Sequence, residues 1–178
     1  MLPVMAPYRG HPETRRYSPH CAVFWSHGYC RDRHFGHTVR RVSEADVEAL
    51  LKAPDLSEAI GQRDRAMLEV LYACGLRVTE LVSLTLEQVN LRQGVLRVMG
   101  KGSKERLVPF GEVARQWLER YLAEARGPIL GGQQTDDLFV TQRGSGMTRV
   151  MFWMLVKKWA QVAGIHAPLS PHTLRHAF

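Results

Sequence analysis

The sequence predicts a mixed α and β fold (α+β) that is mostly α-helical and carries one small antiparallel β-sheet. Two observations support this prediction. Apolar residues recur with helical spacing in several stretches after residue 43, and two short β-prone runs flank a turn rich in Gly and Lys. A chain of 178 residues with 45% hydrophobic and 23% charged residues is typical of one globular domain with an appendage.

The first two predicted helices have recognisable ends. Ser43 and Asp46 have the spacing of a capping box, with Asp in place of the commoner Glu or Gln. The apolar stripe that follows consists of Val47, Leu50 and Leu51. The second helix is predicted from about Gln62 to a left-handed cap at Gly75. Its apolar face consists of Met67, Val70, Leu71 and Cys74, so Cys74 is interpreted as a core residue.

The middle of the chain predicts shorter elements. A short helix is expected over 78–84, and Thr85 to Gln88 has the spacing to cap a further turn. Residues 94–100 and 105–109 predict a β-hairpin with a Lys/Gly loop at its tip. A helix over about 111–126 and a short strand over 138–141 follow.

The clearest helix is predicted over 148–164, where apolar residues keep the i, i+3, i+4, i+7 spacing. Its apolar stripe consists of Phe152, Leu155, Val156, Trp159, Ala160 and Ala163. Ser170 and Pro171 then supply an N-cap and a first-turn proline for one more helix. That helix reaches only about two turns before Phe178, so we expect a truncated domain.

Residues 1–40 differ in composition from the rest. They hold five of the eight His, four of the nine Pro and no Lys, and we interpret them as a loop-rich or disordered appendage to a domain of residues 41–178. The net charge of +7 makes a polyanionic partner plausible. Three cysteines cannot form a paired framework, which favours a cytoplasmic setting. No apolar run has the roughly 18 residues of a membrane helix, so no membrane partner is expected.

Several motifs that could indicate other chemistry do not fit. The run from Gly100 to Glu105 has neither the phosphate-loop nor the dinucleotide-binding spacing. Asp136 and Asp137 are adjacent, so in an extended segment they point to opposite sides, and a solvated loop is favoured over a nuclease metal site. A zinc site in the appendage remains an alternative to an incidental His-rich segment, although the spacing matches no established pattern. Its ligands would come from Cys21, His27, Cys30, His34 and His37.

The run from His172 to His176 is different in kind. On a helix, His172 shares one face with Arg175 and His176, close to a helix N-terminus whose N–H groups point outward. Such an arrangement is suited to phosphate binding, but a helix that simply begins with polar residues is an equal alternative.

Five stretches in uninterrupted order resemble one known family. They are residues 63–81, 100–109, 147–153, 163–165 and 169–178. Together they resemble the catalytic domain of the tyrosine recombinases (phage integrase family), and within it the Xer type. The resemblance implies the DNA breaking-rejoining fold, double-stranded DNA as a partner and another recombinase subunit as a second one. It also implies strand exchange through a 3′-phosphotyrosine without metal or other cofactor.

The resemblance also implies roles for individual residues. Arg77 and Arg175 would bind the scissile phosphate, which arginine does well through its bidentate fork. Lys101 would protonate the departing 5′ oxygen, and His172 would belong to the acid/base and phosphate-binding set. His176 would support the structure around these catalytic residues. Contact with the DNA backbone is a weaker expectation, with a solvated surface as an equal alternative, for Lys104, Arg106, Thr148, Arg149 and Lys157.

Departures from the family pattern limit the expected activity. The family continues past His176 to another catalytic His and the nucleophilic Tyr, and the five tyrosines here all precede that point. We therefore expect a DNA-binding fragment of a recombinase that does not cleave DNA alone. The alternative is a non-catalytic DNA-binding or regulatory protein derived from a recombinase.

Overall fold

The computed structural model of the chain describes residues 42–100, 105–166 and 169. Six α-helices and three strands occur within these residues. The helices are α1 (Glu44–Lys52), α2 (Ala59–Cys74), α3 (Val78–Val82), α4 (Glu112–Arg120), α5 (Arg126–Leu130) and α6 (Arg149–Val162). The strands are β1 (Val89–Asn90), β2 (Val95–Met99) and β3 (Glu105–Pro109). The mostly helical α+β prediction is confirmed, while the appendage and the last predicted helix fall outside the described residues.

The ends of α1 and α2 follow from local chemistry. Ser43 Oγ accepts from the N–H of Asp46 at 3.2 Å, and Asp46 Oδ2 accepts from the N–H of Ser43 at 2.9 Å, which confirms the capping box. Gly75 ends α2 with a φ of 54°, as predicted for a left-handed cap. However, α2 begins at Ala59, three residues before the predicted start.

Helix α2 lies at the centre of the described fold and packs against α1, α3, α4 and α5. Its buried face includes Met67, Leu68 and Val70, each at most 1% exposed. Cys74 is half-buried at the edge of this core, and burial raises the pKa of its thiol to about 11. The core prediction for α1 and α2 is thus confirmed.

The sheet is antiparallel with strand order β1-β2-β3. Leu96 pairs with Val108 and Val98 with Arg106, so these four residues share the inward face of β2 and β3. Leu96 and Val98 are buried, whereas Arg97, on the opposite face, is exposed. The predicted hairpin is confirmed, and the short strand β1 was not predicted.

The helix predicted over 111–126 is interrupted. A π-helical turn, Tyr121–Ala125, separates α4 from α5. The turn presents Tyr121 to the segment that follows α5, where its hydroxyl donates to the carbonyl of Leu138 at 2.9 Å and accepts from the N–H of Val140 at 3.2 Å. Tyr121 is fully buried, and desolvation raises the pKa of its hydroxyl to about 12. The π turn therefore aligns one side chain with a distant backbone segment.

The strand predicted over 138–141 is wrong. Its backbone is held by two isolated bridges, Thr85 to Asp137 and Val140 to Gly146, and by the Tyr121 hydroxyl. All four residues of the segment are buried, which explains their strand-like apolar character. The Phe139 ring stacks on that of Tyr121, with the two centroids 5.6 Å apart, so burial and not strand pairing accounts for this composition.

An ion pair inside the core links three elements. Arg63 Nε and Nη2 donate to Asp64 Oδ1 at 2.9 and 2.6 Å, and Arg63 Nη1 donates to the carbonyl of Val140 at 3.0 Å. Trp159 of α6 donates its indole N–H to Asp64 Oδ2 at 2.8 Å. Burial raises the pKa of Asp64, against the opposing attraction of Arg63. These contacts join α2, α6 and the segment around Val140.

Helix α6 has the predicted buried stripe, except that Ala163 follows the last residue of the helix and is only partly buried. Thr148 is the N-cap, and its hydroxyl accepts from the N–H of Met151 at 3.2 Å. The buried residues are Phe152, Leu155, Val156, Trp159 and Ala160. The opposite side is exposed and includes the apolar residues Val150, Met151, Met154 and Val162.

Candidate DNA-phosphate site

Arg77 lies at the junction of α2 and α3. Gly75 turns the chain out of α2, the buried Leu76 anchors the connection, and Arg77 is the N-cap residue of α3. The N–H of Arg77 donates to Glu80 Oε2 at 2.8 Å, and its Nη1 donates to Glu80 Oε1 at 3.0 Å. The side chain of Arg77 remains 52% exposed, so one residue both begins the helix and presents a cation to solvent.

Glu80 also binds a second arginine, which comes from the sheet. Arg106 of β3 donates from Nη1 to Glu80 Oε1 at 3.1 Å and from Nη2 to Glu80 Oε2 at 3.0 Å. This is a bidentate pair in which both carboxylate oxygens are engaged. The Glu80 side chain is 8% exposed and that of Arg106 is 40% exposed. Four donors from two elements therefore converge on one buried carboxylate.

The electrostatics of this cluster leave a net positive charge. Burial acts to raise the pKa of Glu80, but the hydrogen bonds from Arg106 and Arg77 outweigh it and hold the pKa below its ordinary value. The same contact raises the pKa of Arg106. Two guanidinium groups thus share one ionised carboxylate. The contact with Glu80 uses one of the five side-chain N–H donors of Arg77, and the exposed guanidinium can approach an anion from outside.

The contribution of Glu80 to stability should depend on pH. Since its pKa is lower in the folded chain than in the unfolded one, Glu80 stabilises the fold above the unfolded value of about 4.3, and this stabilisation is lost as the pH falls through the folded value. We expect the free energy of unfolding to fall more steeply on acidification in the wild type than in Glu80→Gln. Urea titrations at a series of pH values measure both curves. Glu48→Gln, which removes a surface carboxylate, should parallel the wild type; a parallel curve for Glu80→Gln would contradict the assignment.

The other predicted site residues are placed as follows. Lys101, Lys104, His172, Arg175 and His176 lie outside the described residues, so their expected roles stay predictions. The described strands β2 and β3 are joined in sequence by residues 100–104, the stretch that carries the two lysines. Arg77 and Arg106 are brought together by Glu80, a residue to which sequence reasoning gave no role. Its signal was the i, i+3 spacing from Arg77, which is that of a capping box.

Three further predicted DNA contacts lie at α6. Thr148 is used as a helix cap, as described above, and Arg149 is exposed at the first position of the helix. Lys157 is exposed, with its ammonium 5.9 Å from the centroid of the Trp153 ring. Helix α6 packs against α3, the helix that Arg77 begins. Contact of these residues with DNA remains a prediction.

The described residues show neither a metal cluster nor a membrane helix. Within residues 42–100, 105–166 and 169, no three His, Cys, Asp or Glu side chains are grouped so that they could hold a metal ion. Asp137 instead accepts from the Thr135 hydroxyl at 2.9 Å. None of the helices in this part of the chain is both long and apolar enough to span a bilayer. The Cys and His residues of the alternative zinc site lie outside the described residues.

The fold of the described residues is shared with a known protein family. The model of the phage integrase family matches residues 40–178, and the chain belongs to this family. Within it, the chain is similar to the tyrosine recombinase XerD of Pseudomonas putida, with 74% identity over 139 residues. The XerD of Pseudomonas aeruginosa is 68% identical over the same length. Each alignment covers 78% of this chain and 47% of the relative, so the chain spans about half the length of these curated relatives.

Solved structures agree with the fold. The crystal structure of XerA recombinase matches with a TM-score of 0.66 and 28% identity, over 78% of this chain and 48% of that one. The XerH recombinase bound to its difH substrate matches with a TM-score of 0.66 and 24% identity, over 81% of this chain and 42% of that one. The λ integrase catalytic core matches with a TM-score of 0.57 and 18% identity, over 77% and 79% of the two chains. The predicted family and fold are confirmed.

Proposed function

We propose that this chain is the phosphate-binding part of a Xer-type site-specific recombinase and that it binds double-stranded DNA through Arg77. The observation that carries the proposal is the exposed guanidinium of Arg77, held by a buried carboxylate that is itself shared with a second arginine. Support comes from the membership in the phage integrase family and from the similarity to XerD.

The chemistry of Arg77 suits a phosphodiester. A phosphate under nucleophilic attack gains negative charge on its non-bridging oxygens, and a fixed guanidinium can donate two parallel hydrogen bonds to them. The contact with Glu80 restricts the rotation of the side chain before DNA arrives, which lowers the entropy lost on binding. In the proposed role, Lys101, His172 and Arg175 complete the phosphate site, with Lys101 protonating the leaving oxygen.

DNA binding can be tested with Arg77→Ala and a matched control. Fluorescence anisotropy with a short labelled duplex should give an affinity that falls linearly with the logarithm of salt concentration. Removal of Arg77 should weaken binding about tenfold and reduce the slope by about 0.9, the loss of one phosphate contact. Arg97→Ala removes the same charge from the outer face of β2 and should have a smaller effect. Equal losses for the two variants would indicate diffuse attraction and contradict a specific role for Arg77.

We further propose that the 178-residue chain does not cleave DNA alone. Two tyrosines lie within the described residues. Tyr121 cannot serve as a nucleophile, because its hydroxyl is buried and bonded to Leu138 and Val140 and its pKa is raised. Tyr72 is 45% exposed, but it lies on α2 ahead of Arg77, which is not the position of the family's nucleophile. A nicked suicide duplex, which traps a covalent phosphotyrosine, should yield no protein–DNA adduct. An adduct mapped to any tyrosine of this chain would overturn the proposal.

A further inference from the structure

Arg106 stands out because its guanidinium is turned toward a protein carboxylate. Both terminal nitrogens of Arg106 bind Glu80, at 3.0 and 3.1 Å, and the same two carboxylate oxygens hold the N–H and Nη1 of Arg77. Glu80 and Arg106 are 26 positions apart in the sequence, so their contact connects the start of α3 to β3. We propose that Arg106 is a positioning residue that acts on Arg77 through Glu80, and that it is not itself a phosphate ligand. This inference rests on the proposed role of Arg77 in phosphate binding.

The charge of Glu80 would weaken phosphate binding by Arg77 if Arg106 did not share it. A carboxylate paired with Arg77 alone would cancel most of the positive charge that a phosphate would meet. Glu80 is 8% exposed, so solvent screens this cancellation only weakly. With Arg106 on both oxygens, the negative charge of Glu80 is shared between two cations. Arg77 then retains more of its attraction for an incoming anion.

The geometry of Arg106 also suits a positioning role. Arg106 lies at an inward position of β3, paired in register with the buried Val98, so its backbone is fixed by the sheet. Its bidentate contact fixes the plane of the Glu80 carboxylate, because two parallel hydrogen bonds permit little rotation. A fixed carboxylate plane in turn fixes the direction of the Nη1 of Arg77. Arg106 therefore holds the exposed guanidinium of Arg77 in a fixed position relative to the sheet.

The positioning role can be tested with Arg106→Lys, which keeps the positive charge but loses the two parallel N–H donors of the guanidinium. Without DNA, the order parameter of the Arg77 Nε–H bond, measured by ¹⁵N relaxation, should fall in Arg106→Lys. It should fall equally in Glu80→Gln, and no further in the double variant. Arg97→Lys, the same change on the outer face of β2, should leave it unchanged. An unchanged order parameter in folded Arg106→Lys would overturn the proposal.

DNA binding distinguishes a positioning residue from a phosphate ligand. Arg106→Lys should weaken binding about tenfold in the wild-type background and less than about twofold in the Glu80→Gln background, with the salt slope unchanged. The same loss in both backgrounds would mean a direct phosphate contact and would overturn the proposal. If the wild-type chain fails to bind DNA, the proposed function fails, while the relaxation measurement still decides whether Arg106 positions Arg77. Thermal melts and amide spectra identify any variant that does not fold, and Arg106→Gln then replaces Arg106→Lys in the relaxation measurement.

Discussion

Replacement of Asp64 by alanine should destabilise the fold by about 3–5 kcal/mol, the cost of leaving a buried charge without its partner. Arg63 is 7% exposed and Asp64 is 2% exposed, so neither group can recover its hydration in the folded chain. The change would also leave the indole N–H of Trp159 without the carboxylate it now contacts at 2.8 Å. Urea denaturation, with the midpoint and slope fitted together, measures the loss.

Two further variants separate the unpaired charge from the pair itself. Glu124→Ala breaks an exposed pair with Arg120 and should cost less than about 1 kcal/mol. The double variant Arg63→Met, Asp64→Leu removes both charges and should be more stable than Asp64→Ala, because it leaves no buried charge uncompensated. If the double variant were no more stable than Asp64→Ala, the desolvated charge would not be the cause of the loss.

The predictable parts of the fold are those decided by residues close in sequence. Ser43 with Asp46, and Gly75, each mark a helix end through contacts within one turn, and both ends were identified. The π turn at Tyr121 was not, because the bonds of its hydroxyl go to backbone groups 17 and 19 residues away. The incorrect prediction of a strand over 138–141 has a related cause. The apolar residues of this segment indicate that it is buried, and burial alone does not distinguish a strand from a packed loop.

The candidate site shows the same division. Arg77 was identified from its motif, and the spacing to Glu80 was visible in the sequence. The link from Glu80 to Arg106 was not, since it crosses from a helix to a strand. One signal could have suggested it. Arg106 and Val108 lie on the same inward face of β3. A charged residue at an inward position requires a partner of opposite charge.

Replacement of Gly61 by alanine should change the stability of the fold in the direction opposite to that which helix propensity predicts. Gly61 lies in the first turn of α2, where replacement by alanine would ordinarily stabilise a helix by about 1 kcal/mol. Here a Cβ at Gly61 would overlap the carbonyl of Asp55. That carbonyl belongs to a turn fixed by Asp55 Oδ1, which accepts from the N–H of Ser57 at 2.9 Å and from its hydroxyl at 2.7 Å. We therefore expect Gly61→Ala to destabilise the fold by about 2–3 kcal/mol through forced displacement of packed backbone.

A double-mutant cycle with Asp55→Ala tests the cause of that loss. Asp55→Ala removes both hydrogen bonds to Ser57 and leaves the carbonyl in place, so the turn can move away from α2 more easily. Gly61→Ala should then cost less in the Asp55→Ala background than in the wild type, with a coupling energy of about 1 kcal/mol. Urea denaturation of the four proteins gives the cycle. A stabilising effect of Gly61→Ala in the wild type would show that propensity outweighs the contact, whereas equal losses in both backgrounds would mean that the turn does not restrain the Asp55 carbonyl.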